Sequence, residues 1–453
     1  MAAVPNALAF LASRLRQIGI FIALIVIVVL FQILTDGALL QPGNVSNIIV
    51  QNSYILILAI GMVMIIIARH IDLSVGSVAA FVGALSGVMI QSWGFPWWAA
   101  IIASLVVGAL VGAWQGFWIA YVGIPAFIVT LAGMLIFRGL TQIVLGNRQI
   151  TPFPEEYREL GGGFLPDIAP NAPLEWLTVG LGVLATVFLI AQQVKTRRDR
   201  VKLNLEDEPG TWFGIKLAFT AVMVLGLTIL LARFRGTPVV LVVLAVLILA
   251  YTAVMNRSKF GRHIYAVGGN LHAAQLSGVN TKRVDFFLFV NMGVLAALAG
   301  LVFTGRLNSA GPGAGNLFEL DAIAAAFIGG AAVTGGIGTV TGAITGGLIM
   351  GVLNNGMSLL GVGTDYQQFI KGLVLLLAVA FDIFNKNRTG QSSIFSMKRR
   401  GAGDVVAAAK RQTGEKTEDG AQDGVAPQPG SAGSSAVERP EDVERPEDKA
   451  PTR

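Results

Sequence analysis

The chain has no cysteine among its 453 residues, so disulfides, thiol nucleophiles and thiolate metal sites are excluded. Its three histidines, His70, His263 and His272, are too few and too scattered for a histidine-based metal cluster. Charge is scarce as well: Asp, Glu, Lys and Arg make up 13% of residues against 54% apolar, where a soluble domain carries about 25% charged. With a mean hydropathy of +0.67, that deficit excludes a water-soluble globule and leaves an integral membrane protein.

A phosphate-binding loop of the G-x-x-x-x-G-K-[ST] type is also missing. "GTWFGIK" at 210–216 has the wrong glycine spacing and follows no strand, so the chain brings no ATP site of that kind. No Ser–His pairing suits an intramembrane protease, since "GALSG" at 83–87 lacks the spacing of an active-site serine. The net charge of +6 implies no nucleic-acid partner, because Lys and Arg collect beside the cytoplasmic ends of membrane spans. No cofactor is expected, and the chain does not read as an enzyme.

What is present in quantity is long apolar sequence. Windows long enough to cross about 30 Å of hydrocarbon recur near 18–34, 48–68, 75–91, 97–121, 124–145, 176–193, 214–232, 238–255, 285–305, 321–337, 338–360 and 366–384. The expected fold is therefore all-α, a polytopic membrane bundle of about 10–12 transmembrane helices. Residues 1–17 read as a cytoplasmic N-terminus, 18–385 as the membrane domain and 386–453 as a cytoplasmic tail. Basic loops at 195–202, 256–284 and 385–400 all fall inside in this scheme, although Arg233 and Arg235 then fall outside. Loop 146–175, long, proline-rich and mildly acidic, is external. The tail holds 23 of the 60 charged residues and repeats "ERPED", so it cannot bury enough surface to fold and is expected to be disordered.

Small residues supply close helix contact where lipid offers no hydrophobic incentive to associate. Gly83 and Gly87, Gly108, Gly112 and Gly116, Gly342 and Gly346, and Gly347 and Gly351 carry that spacing and read as packing positions. Polar groups at membrane depth cost more. Asn52, Ser53, Asp72, Ser74, Arg138, Asn291, Asn354 and Asn355 either pair helices or line a pathway. Asp72 reads first as a helix N-cap, with an ion-coupling carboxylate as the rival. Arg138 requires water or a partner near the outer side.

The polar island at 256–284 is the exception to the greasy pattern. Asn270 can cap a short helix, "LHAAQLSG", which Gly278 would end in a left-handed turn. "FGRHIYAVGGNLHAAQLSGVNTKRV" (260–284), "IDLSVGSV" (71–78), "PAFIVTLAGMLIFRGL" (125–140) and "FIGGAAVTGGIGTVTGAITGGLIMGVLNNGMSLLGV" (327–362) together resemble the permease subunits of bacterial ABC importers for monosaccharides. Arg69 and His70 stand where many such permeases have Gly-Gly, and the extra apolar pair near 176–232 exceeds the ribose-type core. Both features resemble the xylose and multiple-monosaccharide branch.

The resemblance implies that 260–284 couples the permease to a separate cytoplasmic ATPase subunit, through Phe260, Gly261, Arg262, Gly268, Gly269, Asn270, Ala274, Leu276, Ser277 and Gly278. It further implies an extracytoplasmic sugar-binding protein, a second permease copy, residence in the bacterial cell membrane and both termini in the cytoplasm. Two rival functions stay open: a branched-chain amino-acid permease of the same superfamily, and a gradient-driven transporter using Asp72. Because the tail shares none of these motifs, truncation after Arg400 is expected to leave transport unchanged; loss of uptake by the truncated chain would give the tail a role.

Overall fold

The computed structural model describes residues 4–169, 172–203 and 209–388, with side chains for 19–169, 172–203 and 209–380. The described residues form helices joined by short connections and no β-sheet; two isolated bridges, Ile150 with Ala310 and Phe164 with Pro238, are the only strand-like pairings among them. The expected disordered tail lies outside the described residues except for 386–388, which continue the last helix. Residues 4–17, expected as a lead-in, belong to the first helix.

The core is built on α2 (Pro42–Ile67), which Pro42 starts at the first helical position where its missing N–H costs nothing. Nearly its whole length from Ile55 to Ile67 is buried, and its apolar window is the most enclosed of any span. Helix α1 (Val4–Leu34) precedes it, and helices α3 (Val75–Gln91), α4 (Trp97–Phe117) and α5 (Ala126–Leu145) follow. A π-turn, Trp118–Val122, closes α4 before Gly123, at φ +87°, reverses the chain. Helix α6 (Glu155–Gly162) lies at the far end. Helices α7 (Trp176–Lys202) and α8 (Gly210–Ala232) form a hairpin seated on Gly182, where an added Cβ would lie 2.1 Å from Thr228 Oγ1. Helix α9 (Val239–Arg257) leads into the polar island.

After that island, α12 (Thr281–Leu307), α13 (Phe318–Ile328), α14 (Val340–Leu359) and α15 (Thr364–Arg388) complete the bundle. Seven helices among the described residues are long and apolar enough to cross a membrane. Their outward sides carry Ile102, Leu110, Leu135, Leu184, Val222 and Val246, each more than half exposed, as a lipid-facing surface requires.

The expected span at 321–337 is not one. Helix α13 has 11 residues and is about 16 Å long, roughly half the hydrocarbon thickness. The crossing is completed by non-helical chain at 308–317, from Ala310, bonded to Ile150, down to α13. The unit α2, 68–74, α3 has the same plan run in the opposite direction. The two helix starts meet: a Cβ on Gly76 would lie 2.3 Å from Gly315 O and 2.4 Å from Glu319 Oε2. Only glycine permits that approach.

The glycines singled out for packing all sit at close contacts. A Cβ on Gly108 would lie 2.5 Å from Gly293 O, on Gly112 2.3 Å from Phe289 O, and on Gly116 2.9 Å from Phe286 O, which seats α4 directly on α12. Gly342 and Gly346 meet Gly329 O and Ala325 O at 2.2 and 2.0 Å, Gly347 meets Leu56, and Gly351 meets Asn52. Gly83 rests on Thr304 and Gly87 on Phe153 and Ile150. At the end of the bundle that carries α6, Tyr157 is fully buried, its hydroxyl 2.8 Å from Ser86 Oγ and 2.9 Å from Thr304 Oγ1; burial pushes its pKa up to about 12, keeping it a neutral donor.

Gly112→Leu is expected to overpack the α4–α12 seam at a cost of about 1–3 kcal/mol or more, lowering the melting temperature in detergent. Gly139→Leu on α5, whose new Cβ meets nothing within 4 Å, is the control and should leave it unchanged.

Candidate functional site

The polar island is two helices, not one. Sequence spacing shows only the second; the first, α10 (Lys259–Gly269), is capped by Ser258, whose Oγ accepts from Gly261 N at 3.0 Å. Helix α11 (Leu271–Leu276) is capped as expected by Asn270, whose Oδ1 accepts from Ala273 N at 3.0 Å. Gly278 then takes φ +82°, and Asn280 caps α12 by accepting from Arg283 N. Three successive caps leave little slack, so α10 and α11 form a stiff hairpin at one end of the bundle.

The residues expected in this hairpin divide into two groups. Gly261, Gly268 and Ala274 are buried and hold the hairpin on the bundle: a Cβ on Gly261 would lie 2.4 Å from Met255 O, and one on Gly268 1.7 Å from Ile67 O. Phe260 is half-buried. Arg262, Gly269, Asn270, Leu276, Ser277 and Gly278 are exposed, Leu276 at 90%. An aliphatic side chain so exposed on a fixed, short helix offers a knob for another surface.

Beneath the hairpin, contacts converge that no sequence motif revealed. Arg69 donates from Nε to Gly268 O and from Nη2 to Gly269 O, both at 2.7 Å, and so satisfies orphan carbonyls at the end of α10. Its own backbone is left-handed, φ +70°, which costs a non-glycine residue roughly 1–2 kcal/mol. His70 Nε2 lies 3.2 Å from Asp285 Oδ1 at the start of α12. Gly336 N donates to Ile67 O at 2.8 Å, and Tyr265 donates to Gly338 O at 2.8 Å. Burial raises the Tyr265 pKa, so the phenol stays a neutral donor.

Asp72 does not cap α3. Its Oδ1 accepts from Ser74 N at 2.8 Å and Ser74 Oγ at 2.6 Å, fixing a turn ahead of the helix, while Gln115 donates to Ser74 Oγ. Ser74 holds the cap position without a side-chain cap bond. The sequence expectation fails because the carboxylate stands two residues early and spends itself on its own loop. Arg138 finds its partner in backbone rather than an acid, donating to Ala314 O at 3.1 Å and Gly315 O at 3.4 Å.

The amides expected to pair helices or line a pathway are mostly engaged. Asn355 and Asn44 exchange bonds of 2.8 and 2.9 Å between α14 and α2. Asn291 accepts from the Tyr251 hydroxyl, Asn52 donates to Ile48 O, and Ser53 donates to Val50 O. Asn354 Oδ1 is buried with no hydrogen-bond partner among the described residues.

Residues 44–379, which contain every contact above, match the family model described as branched-chain amino acid transport system / permease component. The chain belongs to this permease family. The permease is 42% identical to the xylose transport system permease protein XylH of Haemophilus influenzae over 367 residues, covering 81% of this chain and 96% of that protein. It is 40% identical to XylH of Escherichia coli, over 85% of this chain and 97% of the other. The ribose import permease protein RbsC of Escherichia coli is 32% identical over 82% of this chain and 95% of its own. No solved structure matches the permease.

The division of the hairpin makes a stability prediction. Gly268→Val should lower the melting temperature of the purified permease sharply, because it drives a side chain into Ile67 O, whereas Leu276→Glu should leave it unchanged. Equal melting temperatures for the two variants would contradict the division.

Proposed function

We propose that the permease is the membrane subunit of an ATP-driven importer of monosaccharides, with xylose the first candidate cargo. An extracytoplasmic binding protein delivers the sugar, two permease copies form the pathway, and a separate ATPase subunit docks on α10 and α11. The observation that carries the coupling reading is Leu276, 90% exposed on a helix capped at both ends. A stiff helix transmits a push as a rigid body, where a loose loop would absorb it. The exposed group of Arg262, Gly269, Asn270, Leu276, Ser277 and Gly278 is the surface assigned to the ATPase.

All three relatives named above are permeases for pentoses, and the two XylH alignments take in nearly their whole length. That supports sugar over branched-chain amino acids, despite the family's description. The gradient-driven alternative loses its chosen residue, because Asp72 is bound to Ser74 within its own turn. Residence in a bacterial cell membrane with both termini in the cytoplasm follows from the basic loops at 195–202 and 256–284.

At the opposite end from the hairpin a polar hollow of about 620 Å³ opens between α6, the chain at 163–167 and the end of α12. Arg158, Asp167, Arg235 and Arg306 line it, and Arg235 stacks over Phe164 at 4.3 Å. We assign this hollow to the arriving binding protein.

Reconstituted in liposomes with its ATPase and binding protein, the permease should take up labelled xylose only with ATP, and unlabelled xylose should compete better than ribose, galactose or leucine. Leu276→Glu, and likewise Gly269→Glu, should cut that uptake at least tenfold at unchanged membrane content. Accumulation driven by a proton or sodium gradient without any ATPase would overturn the importer reading, and full uptake by Leu276→Glu would overturn the docking assignment.

A further inference from the structure

The dipeptide Arg69–His70 touches both flanks of α11. On one side Arg69 holds the carbonyls of Gly268 and Gly269, the last two residues of α10, with only the cap Asn270 before α11 begins at Leu271. On the other, His70 reaches Asp285, in the opening turns of α12 just after it, and its ring lies 5.8 Å from that of Phe289. The hairpin and the connection are therefore tied at two points, 199 to 215 residues apart in sequence, by adjacent side chains.

From this dipeptide the chain runs straight into the broken helix. Ile71, Asp72 and Leu73 follow, then Ser74 and the start of α3 at Val75. Asp72 and Gln115 both bond to Ser74, so this stretch is fixed and has no free length. Gly76, one residue further, abuts Gly315 and Glu319 at the start of the other broken helix, α13.

The backbone of Arg69 argues that the tie is kept for a reason other than local comfort. At φ +70° glycine is the easy choice, yet an arginine occupies the position and spends its planar fork on two carbonyls. A lysine would present one point charge where the fork makes two directed bonds.

We propose that Arg69, with His70 beside it, is the positioning residue that transmits displacement of the α10–α11 hairpin to the broken helix α3, and through the Gly76–Gly315 contact to α13. This rests on the reading of the hairpin as the ATPase-docking element. A rigid-body movement of α11 pulls or pushes on residues 69–70 from both sides at once. The movement then reaches the middle of the bundle, where the two short helices face each other.

The test uses the full complex in liposomes, with Arg69 intact, as R69G and as R69K. Glycine relieves the left-handed backbone and removes the fork, so R69G should melt no lower than the parent while the ATP hydrolysed per sugar imported rises at least tenfold; R69K should fall between. Because the chain has no cysteine, spin labels can be placed through Ile71→Cys and His272→Cys, an exposed position of α11 outside the assigned docking group, without removing any native thiol. With Arg69 present the distance between the labels should stay constant between ATP-bound and nucleotide-free states, and in R69G it should change.

An R69G complex that imports sugar at the parental ATP cost overturns the proposal, as does a nucleotide-dependent label distance with Arg69 intact. A drop in melting temperature with an unchanged ATP cost also overturns it, since that is what a purely structural arginine would give. Absence of ATP-dependent uptake by the parent complex overturns the importer reading, and this one with it.

Discussion

Inside a bilayer a peptide N–H or C=O has no water to turn to, and every interruption of a helix must find its partners in the chain itself. This permease interrupts two of its crossings, at 68–74 and at 308–317, and the arrangement of the bundle follows from where those interruptions are satisfied. Arg138 of α5 covers the carbonyls of Ala314 and Gly315. Asp72, Ser74 and Gln115 close the other stretch, and Ile67 O is taken by Gly336. Arginine in hydrocarbon is costly. Here the cost is offset by carbonyls that would otherwise have stood bare.

Close backbone approach is the second requirement, because partners of this kind reach each other only if the helices nearly touch. The glycines on α4, α12 and α14, with Gly329 just past the end of α13, allow it. Glycine's conformational cost in a helix, about 1 kcal/mol relative to alanine, is repaid in packing that no side chain would permit. The same spacing explains why α7 and α8, with a single such seat at Gly182, form an outlying hairpin with mostly apolar, exposed surfaces.

Span positions and the packing glycines were legible from composition and spacing alone, since hydrocarbon thickness and small-residue periodicity act locally. So were the caps of α11, where Asn270 and Gly278 announce themselves. Helix α13 was not: 321–337 is apolar along its whole length, and hydropathy does not distinguish a full helix from a half-helix joined to irregular chain. Nor was α10, whose glycines at 261, 268 and 269 argue against a helix until their neighbours at Val254, Met255 and Ile67 are seen. Arg69 and His70 stood out only as a departure from Gly-Gly, and the positive φ at 69 shows why glycine suits that position. Contacts between residues 200 positions apart leave no mark on a single sequence.

Two short helices that point their starts at each other bring two positive dipole ends together, which is unfavourable unless negative groups stand nearby. The sequence places them there: Asp72 just ahead of α3, Glu319 and Asp321 in the first turn of α13. Asp321 is paired with Lys371 of α15 at 3.1 Å, which holds that helix to the junction. Glu319 lies against Gly76, at the start of α3. These carboxyl groups are therefore accounted for by the geometry of the broken helices, without assigning any of them to a coupling ion. A junction in which three acidic side chains offset two opposed dipoles across a glycine contact is sensitive to small axial shifts of either helix, because dipole energies fall off within a single turn. That makes it a place where a modest displacement, delivered from one end of the bundle, changes the balance between two arrangements.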